Sequence, residues 1–301
     1  MALTDNQRGA LYMTVSMAGF AVEDVFVKAA AAALPLGQVL FSIGLCGMLV
    51  FAAMAARRGE PILPAAFLSR PMLIRSAFEV TGRLFYGLAI TLTALSTTSA
   101  ILQATPLVVV AGAALVFRER VSLRRWLAVL AGFAGVMVIL RPGAEFSALS
   151  LLAVVGLLGF AGRDLATRAA PEGLSNRQLG ALGFAMLALA GAILLAVSGG
   201  ARLPDLADLS RLAAGTAFGM LGYHALSHAM RTGEVSAVTP FRYTRLVFAM
   251  VLAMVLFGER PDLATWIGAA LVVGSGVFAL TRKQDARAAS AEGERRDIDD
   301  G

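Results

Sequence analysis

"GFAVEDVFVKAA", residues 19–30, and "GFAGRDLATRAA", residues 159–170, are one dodecamer met twice, 140 positions apart. Six positions are identical: Gly19/Gly159, Phe20/Phe160, Ala21/Ala161, Asp24/Asp164, Ala29/Ala169 and Ala30/Ala170. Arg168 answers Lys28 and keeps its charge, whereas Arg163 answers Glu23 and reverses it. The likeness extends outward. "FRERVSLRRW" (117–126) is answered at the same offset by "FGERPDLATW" (257–266), keeping Phe, Glu, Arg, Leu and Trp. Ser99-Ala100 matches Ser236-Ala237, and Tyr86 matches Tyr223, both 137 positions on. A near-constant offset along the whole chain marks one structural unit written twice.

Both copies lie in long apolar runs. The chain is 58% hydrophobic and 15% charged, with a mean hydropathy of +0.75. A soluble domain carries roughly 25% charged residues. A soluble core cannot hide this much apolar surface, so the solvent for most of the chain is lipid. The net charge of +6 does not indicate a nucleic-acid partner, because the basic residues fall in short clusters between apolar runs. Cys46 is the single cysteine, which excludes a disulfide or a zinc cluster within one chain. The first apolar run is too long and too acidic for a cleavable signal peptide and reads as a retained helix.

Ten runs are long enough to span: 9–31, 37–56, 72–93, 97–116, 126–141, 147–167, 177–198, 209–230, 236–256 and 264–281. The fold class is therefore all-α and integral to a membrane. Residues 1–8 form a short N-terminal segment, 9–141 and 147–281 the two five-helix repeats, and 282–301 a polar tail expected to be disordered. Five spans per unit is an odd number, so the second copy enters the membrane inverted. With the N-terminus placed inside, sixteen Lys and Arg fall on inside segments, against Arg141, Arg202, Arg211 and Arg260 outside. This asymmetry predicts both termini in the cytoplasm. Trp126 and Trp266 read as interface anchors.

Two tandem units of about 140 residues, "FRER" and "FGER" after the fourth and ninth helices, and the "GF-A-x-x-D" of the first and sixth resemble the drug/metabolite transporter superfamily, in its EamA-type branch. The resemblance covers roughly residues 9–281. It implies a bacterial inner-membrane protein, a cavity between the halves and transport of a small molecule without ATP. "SMAGFAVEDVFVKAA" (16–30) is similar to importers of riboflavin or S-adenosylmethionine. Exporters of amino acids and drugs belong to the same branch. Nothing resembles a nucleotide-binding loop, and no cofactor is required.

Ionisable residues at bilayer depth are expensive and mark cavities or partners. Asp24 with Lys28, and Asp164 with Arg168, are spaced i, i+4 on one helix face. The inverted repeat puts one pair near each mouth. They read as two gates or as local pairs snorkelling to the interface. On the third helix Glu79, Arg83 and Tyr86 form one stripe. On the ninth, Arg242, Tyr243 and Arg245 lie roughly 10–15 Å deep. Two arginines there are suited to hold an anionic or carbonyl-rich ligand by forked hydrogen bonds, with Tyr243 offering a ring face. The fourth helix adds Gln103, Thr105 and Pro106. His224 and His228 are also spaced i, i+4, but no third ligand accompanies them. They read as hydrogen-bonding or proton-coupling groups, or as packing, rather than as a metal site.

Among the embedded residues Lys28, Arg75, Arg83, Arg163, Arg242 and Arg245 outnumber Glu23, Asp24, Glu79 and Asp164. The excess favours an acceptor-rich or anionic cargo such as the dione ring of riboflavin. The rival class, an intramembrane enzyme, requires a nucleophile–base set or convergent metal ligands, and the histidine pair supplies neither. A receptor or scaffold has no use for arginines at mid-depth. The sequence leaves oligomeric state, coupling ion and direction of transport open.

Overall fold

The structure is a computed structural model that describes residues 3–92, 101–140, 149–257 and 263–280. The tail after 281, the Ser99-Ala100 match, Arg141 and Arg260 lie outside the described residues. Ten helices of twelve residues or more occur among those described: α1 (Asp5–Ala31), α2 (Leu36–Ala56), α3 (Arg70–Leu92), α4 (Thr105–Val116), α5 (Leu123–Leu140), α6 (Ser150–Arg168), α7 (Asn176–Ser198), α8 (Leu206–Thr232), α9 (Thr244–Phe257) and α10 (Leu263–Leu280). Among the described residues α1, α2 and α7 are long and apolar enough to cross a membrane by length and composition alone.

Helix starts follow their side chains. Thr4 and Gln7 form a capping box at α1, and Ser175 and Gln178 repeat it at α7. The same corner of α7 staples the loop after α2. Ser175 Oγ donates to Glu60 Oε2 at 2.6 Å, Arg177 Nε donates to Glu60 Oε1 at 3.2 Å, and Gln178 Nε2 donates to the Pro61 carbonyl at 2.8 Å. The Arg177 and Ser175 bonds hold the Glu60 carboxyl below the usual carboxylate range, the Arg177 bond contributing most.

Helices pack across the halves: α1 on α8, α2 on α7, α3 on α6 and α5 on α10. Exchanging the halves leaves this set of pairs unchanged. The detail repeats as well. At the α1–α8 crossing a β-carbon on Gly19 would stand 2.9 Å from the Gly222 nitrogen, and at the α3–α6 crossing one on Gly159 would stand 2.5 Å from Gly82. Phe20 lies over Gly222 as Phe160 lies over Gly82. In lipid there is little hydrophobic drive between helices, so backbones that touch through small residues carry the association.

The ninth span departs from the single helix expected over 236–256. A helical turn, Val235–Val238, passes into a 3₁₀ segment, Thr239–Tyr243, before α9 begins. Pro240 removes an amide donor at that break. Thr105-Pro106 begin α4 in the first half just as Thr239-Pro240 stand at this break in the second. The Val235 and Ser236 amides donate to the two carboxylate oxygens of Glu119, at 3.0 and 3.1 Å. The glutamate of "FRER" is thus a cap for a helix of the other half.

Candidate functional site

A cavity of about 260 Å³ opens between α1, α2, α3, α4, α6 and α9. Met17, Phe20, Glu23, Asp24 and Val27 line it from α1, Arg83, Tyr86 and Gly87 from α3, and Gln103, Thr105 and Pro106 from α4 and the turn before it. Phe160 and Arg163 face it from α6, Arg242 from the 3₁₀ segment and Arg245 from α9. The fourth and ninth spans thus present their interrupted stretches to the cavity. Interrupted backbone is tolerated at membrane depth where it borders a cavity.

Of the residues singled out in the sequence, Asp24, Arg83, Tyr86, Gln103, Arg242 and Arg245 reach this cavity. Tyr243 does not. Its ring lies against Gly132 and its hydroxyl donates to the Val129 carbonyl at 3.2 Å, because the 3₁₀ turn rotates it toward α5. His224 and His228 also stand apart. They meet edge to face with centroids 4.7 Å apart, His228 stacking on Tyr12 and His224 on Phe51. Glu79 is fully buried behind the wall as the hub of an ionic network.

That network joins four spans. Glu79 Oε1 accepts from Arg163 Nη1 at 3.2 Å and from Arg83 Nε at 3.4 Å, and Glu79 Oε2 accepts from the Tyr223 hydroxyl at 2.8 Å. Arg75, itself 0% exposed, donates to the Tyr223 hydroxyl and, at 3.0 Å, to Thr167 Oγ1. Arg163 Nε donates to Asp164 Oδ1 at 2.8 Å, and Arg242 pairs with Asp164 Oδ2. Buried charge is stable only when such bonds satisfy it. Tyr223 and Arg75 were not marked as site residues in the sequence, although the Tyr86/Tyr223 match pointed at the first.

The two expected i, i+4 pairs are not formed. Asp24 faces Arg245 in a forked pair, with Nε–Oδ2 at 3.0 Å and Nη2–Oδ1 at 2.6 Å. Lys28 is exposed, and among the described residues it makes no ion pair. Asp164 turns to Arg163 and Arg242, while Arg168 donates to the Met230 and Arg231 carbonyls. The physical reason is geometric. A guanidinium from a packed neighbour offers two parallel donors to a carboxylate. The duplicated aspartates therefore converge on one span, Asp24 from α1 holding Arg245 and Asp164 from α6 holding Arg242.

Comparison with known proteins agrees with this architecture. The profile of the EamA-like transporter family matches residues 7–141 and again 148–281. The chain belongs to the EamA-like transporter family. It is a multi-pass membrane protein of a class that moves small metabolites. It is similar to a riboflavin transporter of Vibrio cholerae, 29% identical over 60% of this chain and 60% of that protein's length. It is similar to an S-adenosylmethionine uptake transporter of Rickettsia prowazekii, 23% identical over 93% of this chain and 94% of that one. It also resembles the pseudopaline exporter CntI of Pseudomonas aeruginosa, at 27% identity over 91% of this chain and 96% of that protein. A solved crystal structure superimposes with a TM-score of 0.79 at 19% identity, covering 91% of this chain and 98% of the other, a likeness of fold.

Proposed function

We propose that this chain is a secondary importer of the bacterial inner membrane, working without ATP, with riboflavin as its first candidate cargo. The carrying observation is the charge of the cavity wall. Arg83, Arg163, Arg242 and Arg245 face the cavity, against Glu23 and Asp24. The rings of Phe20, Tyr86 and Phe160 stand among them. Guanidinium forks suit the carbonyl and ring-nitrogen acceptors of a flavin, and aromatic faces suit its plane. Alternating access then follows from the two halves, taken as an inverted repeat, rocking about the cavity. Asp24–Arg245 and Asp164–Arg242 make and break as the gates.

S-adenosylmethionine import is the second reading, favoured by the near full-length match to the Rickettsia transporter and by the carboxylates on α1. Its cation suits the arginine-rich wall less well. Export, of amino acids or drugs, is the alternative direction.

The deciding experiment is uptake of labelled riboflavin and S-adenosylmethionine by cells that depend on this chain. Riboflavin should accumulate and be recovered chemically unchanged. Uptake of S-adenosylmethionine alone selects the second reading, and a chemically altered cargo would favour the intramembrane enzyme. Both termini belong in the cytoplasm, so reporters fused after Lys283 and between α7 and α8 should report opposite sides. The same side for both would break the ten-span topology.

A further inference from the structure

Glu23 is the acid on the cavity wall that the ionic network leaves out. Its residue is 7% exposed, and among the described residues no hydrogen bond or ion pair reaches its carboxylate. The other embedded acids are all engaged. Glu79 accepts from Arg83, Arg163 and Tyr223, Asp164 from Arg163 and Arg242, and Asp24 from Arg245.

The surroundings of Glu23 can be named element by element. Asp24 follows it on α1, Arg83 and Glu79 act on it from α3, and Arg245 from α9. Each of those two cations already faces its own carboxylate. From α2 the apolar Leu36 and Leu40 line the same cavity, and α8 presents Gly219 to the carboxyl. A β-carbon at Gly219 would stand 2.7 Å from Glu23 Oε1. The carboxyl therefore sits on the seam where α1 of the first half crosses α8 of the second, one turn beyond the Gly19–Gly222 contact.

A carboxylate without a dedicated partner is tolerated at this depth while cavity water solvates it. When the seam closes and that water leaves, the charge is left with only two cations that Glu79 and Asp24 already share. The neutral acid has no such difficulty. We propose that Glu23 is a proton-binding site that couples seam closure, and hence transport, to the proton. Its carboxylate takes a proton from cavity water while the cavity is open to one side and returns it to water once the halves have opened to the other. Because Arg163 occupies the equivalent position of the second repeat, each chain carries one such site. The proton site stands whatever the cargo, and its coupling role rests on the transport reading above.

The test is infrared difference spectroscopy of the purified full chain between about pH 5 and pH 9, a range in which exposed carboxylates stay largely ionised. A carboxylic-acid carbonyl band should appear on acidification, vanish in Glu23→Gln, shift in frequency in Glu23→Asp and persist in Asp24→Asn. A band unchanged in both Glu23 variants overturns the assignment. If the Gln variant does not fold, the shift in the Asp variant decides alone. In sealed vesicles, with riboflavin as the probe, the wild type should carry about one proton per flavin and Glu23→Gln none. An equal ratio in both would remove the coupling role. A wild type that shows the Glu23 band but moves no riboflavin overturns the cargo and leaves the proton site intact.

Discussion

Replacing Arg83 by Gln separates a ligand donor from a structural cation. Arg83 reaches Glu79 through Nε alone, at 3.4 Å, and keeps 19% of its side chain exposed. That is longer than the roughly 2.7–3.2 Å of a well-made N–H···O bond. Its loss should leave the fold nearly intact, because Glu79 still accepts from Arg163 at 3.2 Å and from Tyr223 at 2.8 Å. Its remaining donors are the ones free to meet a cargo in the cavity. Losing a charge-assisted hydrogen bond there costs about 1.5–3 kcal/mol, roughly a tenfold to hundredfold rise in Kd. Arg163→Gln is the contrast. It strips donors from both Glu79 and Asp164, whose side chains are 0% and 1% exposed. Breaking such buried pairs costs about 3–5 kcal/mol, so folded yield should fall. Quenching of flavin fluorescence by purified protein reads the first effect, and size-exclusion monodispersity with a thermal melt reads the second. Arg83→Gln binding riboflavin as tightly as the parent, or Arg163→Gln melting like it, would refute the division of roles.

Asp24→Asn should free Arg245 and bias the cavity toward one side, while Lys28→Met should leave access unchanged. Cysteine-accessibility labelling from each side measures both, and an equal shift in the two variants would return the gate to Lys28. A β-carbon at Gly159 meets the Gly82 backbone, whereas one at Gly173 meets nothing within 4 Å. Gly159→Ala should therefore lose about 1–3 kcal/mol and Gly173→Ala little, as read by thermal melting. Because the folded state holds the Glu60 carboxyl below its unfolded value, the stabilisation is full above the unfolded pKa of about 4.3 and fades as pH falls through the folded value. Glu60→Gln should thus melt lower than the parent at neutral pH, by the fraction of a kcal/mol typical of an exposed pair. The two should converge in acid, and a gap that persists there would contradict the assignment. Arg242→Lys should bind cargo poorly even though charge is retained, since an ammonium cannot make the fork. Parental affinity would show that the fork is not used.

The sequence by itself settled the solvent, the helices and the family. Apolar length and the 140-residue echo are properties of the chain read in order, and a helix in lipid satisfies its own backbone bonds. It also marked most of the cavity, because an arginine at bilayer depth has few other uses. Three things awaited the tertiary structure. Helical spacing points Asp24 and Asp164 to their i+4 neighbours, yet Asp24 faces Arg245 and Asp164 faces Arg242 beside the adjacent Arg163, and the distant arginines are brought close only by packing. The 3₁₀ break turned Tyr243 away from the cavity while leaving Arg242 on it, and a rotation of that kind is invisible to helical periodicity. Glu23 and Glu79 are equally buried acids to a reader of the sequence. Only the fold gives Glu79 three donors and Glu23 none among the described residues, because Arg245 is held across the seam by Asp24 and the carboxylate that Arg83 reaches is Glu79 on its own helix.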